Sequence, residues 1–236
     1  MRLVQSMKLD VQLQARNYLY QIVVVLAILA GLGIWYFFDQ DYLGRVIPAF
    51  FLFVSAGTGY MFIAALVLFE KRENTLMGLV VTPLRPSEYI QSKLITLTAL
   101  GIGESLIVLV LAYVVWYGFG FNVALFLIGI IGLTVINTLF GLIIVVRYDS
   151  INNFLMPTLL FAGITQMPFT AAFGLWEPVF FYAIPTFPPL LLLLGAFNPI
   201  TTGQIIYGVV GTIAVTAGLY WWGQVAFDRH IMQKLG

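Results

Sequence analysis

The chain has 236 residues, of which 61% are hydrophobic and 9% are charged, and its net charge is +1. Because soluble domains carry about 25% charged residues, a chain this apolar has too little polar surface to cover a water-facing globule. Lipid must therefore solvate much of it. The net charge argues neither for nor against nucleic acid, because the Lys and Arg residues form no broad patch, and we predict no nucleic-acid partner. The absence of cysteine excludes disulfides, thiolate catalysis and thiolate metal sites.

Six apolar runs have about the length needed to cross a bilayer, which is roughly 20 residues of helix. The runs are, in chain order, Ile22–Phe38, Val46–Phe69, Leu94–Gly118, Phe121–Val146, Phe154–Leu175 and Ile205–Phe227. The sequence therefore predicts an all-α polytopic membrane protein. We expect a single transmembrane domain over residues 1–236, with six membrane-spanning helices.

A further apolar stretch, Val179–Phe197, precedes the last run but contains Pro185, Pro188 and Pro189. Each proline removes a backbone donor and costs about 3 kcal/mol in a helix interior, so we do not expect one straight helix through all three. We predict a broken, re-entrant element within an extracytoplasmic segment, 176–204. Protein or water must satisfy its exposed backbone groups.

The basic residues predict the orientation of the spans, because Lys and Arg are retained on the cytoplasmic side of a membrane. With six spans, every Lys and Arg except Arg45 falls on one side. A seventh span would move Arg229 and Lys234 to the other side. The sequence therefore predicts a multi-pass protein of a prokaryotic inner (plasma) membrane with both termini in the cytoplasm.

Residues 1–19, which precede the first run, show a helical pattern of their own. Apolar side chains recur at Val4, Met7, Val11 and Tyr18, and charged or amide side chains lie mostly between them. This spacing is typical of an amphipathic helix that lies on the cytoplasmic membrane surface. The alternative is a simple polar leader before the first span.

The longest predicted cytoplasmic loop, 70–93, contains a short apolar segment between two charged ones. The segment Asn74–Val81 is typical of a short helix, which ends at Thr82 because the residue before Pro83 avoids the helical region. A second helix begins near Pro86, since proline is favourable in a first turn. The apolar segment would be poorly placed in water, so we expect it to occupy a groove on a partner. Alternatively, it lies on the membrane or on its own bundle.

The order of residues in this loop resembles the signature of ABC-2 type exporter permeases. In that family an acidic and basic cluster precedes Thr-Leu, an apolar stretch, Thr-Pro-Leu, and a Tyr that is followed by a Lys. The matching residues are Glu70, Arg72, Glu73, Thr75, Leu76, Thr82, Pro83, Leu84, Tyr89 and Lys93. The family usually has glycine where this chain has Asn74.

Three other segments extend the resemblance over nearly the whole chain. Phe197-Asn198-Pro199-Ile200 is similar to the Asn-Pro element that this family has before its last helix. Leu175-Trp176-Glu177-Pro178 and Arg147-Tyr148-Asp149-Ser150 resemble, more narrowly, the small permeases named for fluoroquinolone export.

The resemblance implies the transmembrane subunit of an ATP-binding cassette exporter, which pairs with a second permease (the same chain or a paralogue) and with two cytoplasmic ATPases. It would move a hydrophobic or amphipathic small molecule, a drug-like compound or a lipid, out of the cytoplasm or inner leaflet. The apolar loop helix would be the coupling helix. The implied ATPase-coupling residues are Glu70, Arg72, Glu73, Thr75, Leu76, Leu79, Thr82 and Pro83, and the implied outer-gate residues are Pro185, Phe187, Pro188, Asn198 and Pro199.

The chain has no Gly-x-x-x-x-Gly-Lys-Ser/Thr loop to hold ATP phosphates. We therefore predict that it is not an enzyme and binds no cofactor, and that ATP and Mg²⁺ bind to the partner ATPase. The alternative functions are a secondary transporter and a non-transporting structural or regulatory subunit. A secondary transporter typically shows inverted repeats and several buried ionisable groups, whereas this chain has one intramembrane acid and no clear repeat.

That acid, Glu104, is the most informative polar residue within the spans, because a carboxylate there costs at least about 2.5 kcal/mol. We predict either a cavity residue that contacts cationic or zwitterionic cargo or exchanges protons, or an interhelical hydrogen bond to Asn137 or Thr98. A second candidate group for the substrate cavity lies beside Pro168. It consists of Gln166, Met167 and Phe169, and the alternative role of Gln166 is interhelical hydrogen bonding.

Overall fold

The computed structural model describes residues 2–73, 75 and 85–233. Helices dominate these ranges, and six of them are long and apolar enough to cross a membrane. The predicted all-α fold with six spans is thereby confirmed. The helices are α1 (Arg2–Arg16), α2 (Leu19–Phe37), α3 (Gln40–Arg72), α4 (Pro86–Tyr117), α5 (Val123–Val145), α6 (Ile151–Ala172), α7 (Phe187–Phe197) and α8 (Thr202–Met232).

Two of the spanning helices, α3 and α4, extend several residues beyond their apolar runs. Helix α4 begins at Pro86, where the sequence predicts a helix start, and the Arg85 backbone N–H donates to Glu88 Oε2 at 2.9 Å. Both helices contain a π-helical segment, Gly57–Phe62 in α3 and Val110–Val114 in α4. Such segments insert an extra residue into a helix and are frequent at functional sites.

Helix α5 is the centre of the bundle. In its apolar stretch 83% of the residues are buried, whereas the corresponding fractions for α6 and α8 are 22% and 17%. It packs against α3, α4, α7 and α8. Glycine permits a close crossing of α5 with α3, since a Cβ on Gly141 would lie 2.5 Å from Ile63 Cγ2. Helices α2, α6 and α8 surround this centre and expose most of their apolar side chains.

The segment 176–204 is broken, as the prolines predict. A short 3₁₀ helix, Val179–Ala183, precedes α7, and Pro188 and Pro189 occupy the first turn of α7, where their missing N–H groups break no helical hydrogen bond. Helix α7 has 11 residues and is about 16 Å long, roughly half the thickness of a hydrocarbon core. It is buried against α3, α5 and α8.

Helix α1 confirms the prediction that residues before the first span are helical, and it shows which face contacts the bundle. Asp10 and Gln14 are buried against α4, while Val4 and Val11 are exposed. The helix ends before Tyr18, whose φ of 59° turns the chain into α2. The apolar face is thus directed away from the protein, and its position on a membrane surface stays a prediction.

The two ends of the bundle differ in charge. Arg16 pairs with Glu73 at 2.6 Å, and Lys71 Nζ donates to Tyr148 O at 2.6 Å, so α1, the end of α3 and the α5–α6 turn lie together at what we call the basic end. Arg45 lies at the opposite end, where its Nη1 is 3.4 Å from Phe173 O. This arrangement agrees with the predicted grouping of basic residues on one side.

Candidate functional site

A buried cluster of charged and polar side chains lies at the basic end, and we call it the Lys93 network. Lys93 Nζ donates to Glu70 Oε1 at 2.5 Å and to Asp10 Oδ1. Tyr89 Oη donates to Glu70 Oε2 at 2.5 Å, and Ser92 Oγ donates to Asp10 Oδ2. Both carboxylates therefore have partners for both of their oxygens.

The burial of the Lys93 network makes these contacts energetically important. Lys93 is 1% exposed, Asp10 2% and Glu70 7%. Buried charges require close partners, because desolvation costs several kcal/mol per ion. Lys93 Nζ also lies 4.9 Å from the centre of the Tyr89 ring, a cation–π distance. The network continues through Gln14, which donates to Thr96 Oγ1 at 3.1 Å.

The Lys93 network joins three helices at the two edges of the long loop. Asp10 comes from α1, Glu70 from the last turn of α3, and Tyr89 and Lys93 from the first turns of α4. Thr75 Oγ1 also donates to Glu70 O at 3.1 Å. The bundle therefore fixes both places at which the loop leaves and re-enters it.

Sequence reasoning identified part of this network and missed part. Glu70, Tyr89 and Lys93 belong to the loop pattern, whereas the sequence shows Asp10 only as one of the charged residues between the apolar positions of α1. Its spacing of four residues from Gln14 places both on one helical face, and that polar stripe is the signal that could have identified it.

The other predicted coupling residues have different positions. Arg72 is exposed, and the exposed Glu73 side chain pairs with Arg16. Leu76, Leu79, Thr82 and Pro83 lie outside the described residues, as does all of the predicted coupling helix except Thr75. The coupling assignment itself stays a prediction.

A second candidate site lies deeper in the bundle, around Glu104. Thr58 Oγ1 donates to Glu104 Oε2 at 2.6 Å, and the glutamate is 7% exposed. The predicted partners of Glu104, Asn137 and Thr98, are therefore wrong. Asn137 Nδ2 donates to Ser55 Oγ at 3.1 Å, and the Thr98 hydroxyl forms no hydrogen bond within the described ranges. Thr58 lies in the π-helical segment of α3 and reaches Glu104 from there.

Glu104 borders two grooves, one on either face of α2. The larger, which we call the α2–α3 groove, has a volume of about 660 Å³ and lies between α2 and α3 with α4 as its floor. The smaller, of about 320 Å³, lies between α1, α2 and α4. The α2–α3 groove is lined mainly by apolar side chains, and its lining includes Leu26, Ala30, Val54, Gly57, Thr58 and Glu104.

The other predicted cavity residues lie elsewhere. Helix α6 is interrupted at Pro168, and the Gln166 side-chain amide is enclosed without a hydrogen-bond partner among the described residues. Met167 is exposed, and Phe169 packs edge-on against Phe53 at 4.8 Å. None of the three lines the α2–α3 groove, so the structure separates the predicted cavity residues into two places.

The predicted outer-gate residues lie in the half of the bundle opposite the Lys93 network, with Asn198 at its end and the first turn of α7 against the middle of α5. Phe187 is fully buried, and Asn198 Nδ2 donates to Gly44 O at 2.8 Å and to Leu194 O at 3.0 Å. Pro185 lies in the turn before α7, and Pro199 follows the helix.

A cavity of about 220 Å³ adjoins the predicted gate residues, and it is bordered by Arg45, Glu177, Phe187, Asn198 and Gln204. Their gating role stays a prediction.

Within the described part of the chain, no group of three or more His, Cys, Asp or Glu side chains is placed to hold a metal ion. His230, in the last turn of α8, has its Nδ1 2.9 Å from Ala226 O. The Lys93 network offers charge pairing, and the α2–α3 groove offers apolar contact beside one carboxylate.

The family model of the fluoroquinolones export permease protein family matches residues 1–235. Curated proteins from two strains of Mycobacterium tuberculosis, both called fluoroquinolones export permease protein, are each 31% identical to this chain over 242 residues. Each alignment covers 100% of this chain and 98% of the relative.

Proposed function

Because the chain belongs to the fluoroquinolones export permease family, we propose that it is the transmembrane subunit of an ATP-binding cassette exporter of the ABC-2 type. It works with a separate cytoplasmic ATPase that binds ATP and Mg²⁺. The complex contains two copies of that ATPase and a second permease, either the same chain or a paralogue. The chain resides in a prokaryotic inner membrane with its basic end and both termini in the cytoplasm.

The observation that carries this proposal is the Lys93 network. A loop whose two ends are firmly attached to helices can transmit an applied force to those helices. Glu70 and Lys93, on the two sides of the loop, pair with each other, and Lys93 also pairs with Asp10, all in a buried setting. A force on the loop would therefore reach α1, α3 and α4 together.

The loop has the composition expected of a docking element. Its residues between Glu73 and Arg85 include five apolar side chains in close succession, and such a segment favours an apolar groove on a partner. We assign the coupling role to this segment and to the charged residues that flank it. The outer gate lies in the half of the bundle opposite the Lys93 network and consists of Pro185, Phe187, Pro188, Asn198 and Pro199.

The cargo is a hydrophobic or amphipathic small molecule. Fluoroquinolones are the first candidates because the relatives are named for their export, and a lipid is the second. An apolar groove of about 660 Å³ that borders a single carboxylate supports either class, since small-molecule sites commonly have volumes of about 300–1,000 Å³.

The proposal is tested by purifying the tagged chain from its native membrane in a mild detergent and identifying the proteins that accompany it by mass spectrometry. We expect an ATPase with a Walker loop in stoichiometric amounts. A second, different permease in the same sample would indicate a heterodimer. Recovery of the chain without an ATPase in several mild detergents would refute the proposal and favour a secondary transporter or a structural subunit.

A further inference from the structure

Glu104 lies deep within the apolar part of the bundle. It is 13 residues before the end of α4 at Tyr117, which corresponds to about 20 Å along the helix axis. Its hydrogen-bond partner Thr58 lies near the middle of α3. An acid at this depth costs at least about 2.5 kcal/mol, and a single hydroxyl donor satisfies only one of its oxygens. The ionised form of Glu104 therefore lacks a further positive or donating group.

The α2–α3 groove leaves room for such a group beside the carboxylate. Helix α2 packs on α4, and α3 packs on α5, so α2 and α3 diverge after the short turn that joins them. The resulting groove opens on the side of the bundle, and its walls carry Leu26, Ala30 and Val54. An elongated apolar molecule can enter it from the plane of the membrane.

The π-helical segment of α3 shapes the groove at the carboxylate. It places Thr58 against Glu104, and it places Gly57 at the groove surface, where an added Cβ would meet no atom within 4 Å. Glu104 Oε2 accepts from Thr58, while Oε1 accepts no hydrogen bond from any residue in the described ranges. The acid therefore has one oxygen fixed by the protein and one free to contact a ligand.

From this arrangement we propose that the α2–α3 groove is a binding site for lipophilic organic cations. The positive group of the ligand pairs with Glu104, and its apolar rings or chains lie against α2 and α3. A neutral lipid chain would fill the same apolar walls but would leave the carboxylate unpaired, so charge complementarity selects the cation. The identification of this ligand as exported cargo rests on the proposed function, whereas the binding itself does not.

The test measures equilibrium binding of radiolabelled tetraphenylphosphonium to the purified full-length chain in detergent, with tetraphenylborate as an anion of nearly the same shape. We expect saturable binding of the cation and none of the anion. Glu104→Gln should weaken cation binding about thirtyfold or more, as expected when one member of a buried charge pair is removed. Glu104→Asp, which keeps the charge, should retain most of it.

A second pair of variants tests the location. Gly57→Leu fills the groove and should abolish binding, whereas Gly218→Leu, an exposed glycine of α8 with nothing within 4 Å of its Cβ position, should bind like the wild type. Thermal unfolding and gel filtration establish that each variant is folded. Equal binding of the two ions by the wild type would overturn the proposal even if no variant folds. Unchanged binding by Glu104→Gln or Gly57→Leu would also overturn it.

The ATPase is not required for this measurement. If cations bind as expected but the chain is recovered from its native membrane without an ATPase in several mild detergents, the proposed function is overturned and the binding site stands. If an ATPase co-purifies but cation binding is unchanged in Glu104→Gln, the binding site is overturned and the proposed function stands.

Discussion

Replacing Lys93 by methionine tests the role of the Lys93 network most directly. The substitution keeps the length and apolar volume of the side chain but removes the positive charge that both Asp10 and Glu70 contact. Breaking a buried ion pair by removing one partner typically costs about 3–5 kcal/mol. In chains of about this size each kcal/mol lowers the melting temperature by roughly 2–4 °C, so we expect a decrease of roughly 6–20 °C.

The assay is thermal unfolding of the detergent-solubilised protein, followed by tryptophan fluorescence, with Arg16→Met as the matched control. Arg16 also forms an ion pair at the basic end, but its side chain is 60% exposed, and exposed pairs contribute about 0–1 kcal/mol. Adding Asp10→Asn and Glu70→Gln to Lys93→Met should restore much of the lost stability, because no uncompensated charge then remains. A decrease for Lys93→Met no larger than for Arg16→Met would refute the reasoning.

Three further changes test other parts of the structure. Leu79→Asp should remove the ATPase from the purified complex without preventing membrane insertion, as shown by co-purification and by the amount of chain in the membrane fraction. Gly141→Val should destabilise the α3–α5 crossing by about 1–3 kcal/mol, seen as a lower melting temperature that Gly218→Val does not share, because Cβ would lie 2.5 Å from Ile63 Cγ2. Asn198→Ala leaves the Gly44 carbonyl without its donor and should cost about 1–3 kcal/mol, with faster proteolysis at the end opposite the Lys93 network.

The spans could be predicted because lipid imposes a simple rule on sequence, namely about 20 apolar residues for each crossing. The rule locates the apolar part of a helix but not its ends. Helix α3 begins at Gln40 and α4 at Pro86, since a helical backbone continues through polar residues where water or side chains can satisfy it. Proline chemistry was equally informative, and it located the break before α7 correctly.

The candidate sites were less predictable because they depend on pairing between distant residues. The sequence identified Glu104 as costly but not its partner Thr58, which is 46 residues away and reaches it from a π-helical segment. No periodicity in the sequence signals such a segment. Likewise, Asp10 and Lys93 are 83 residues apart in the sequence. Their pairing depends on the packing of α1 against α4, which the sequence does not reveal.

The two candidate sites are linked by the same pair of helices. Glu70 and Thr58 are 12 residues apart on α3, and their partners Lys93 and Glu104 are 11 residues apart on α4, so the two contacts are separated by about 17 Å along the antiparallel helices. If α4 slides along α3, the Glu70–Lys93 and Thr58–Glu104 contacts both change, because both join the same two helices. A slide of one helical turn, about 5.4 Å, would separate the partners of each contact. We therefore expect displacement of the loop to weaken the Thr58–Glu104 contact, which would change how the groove presents its carboxylate to a cation.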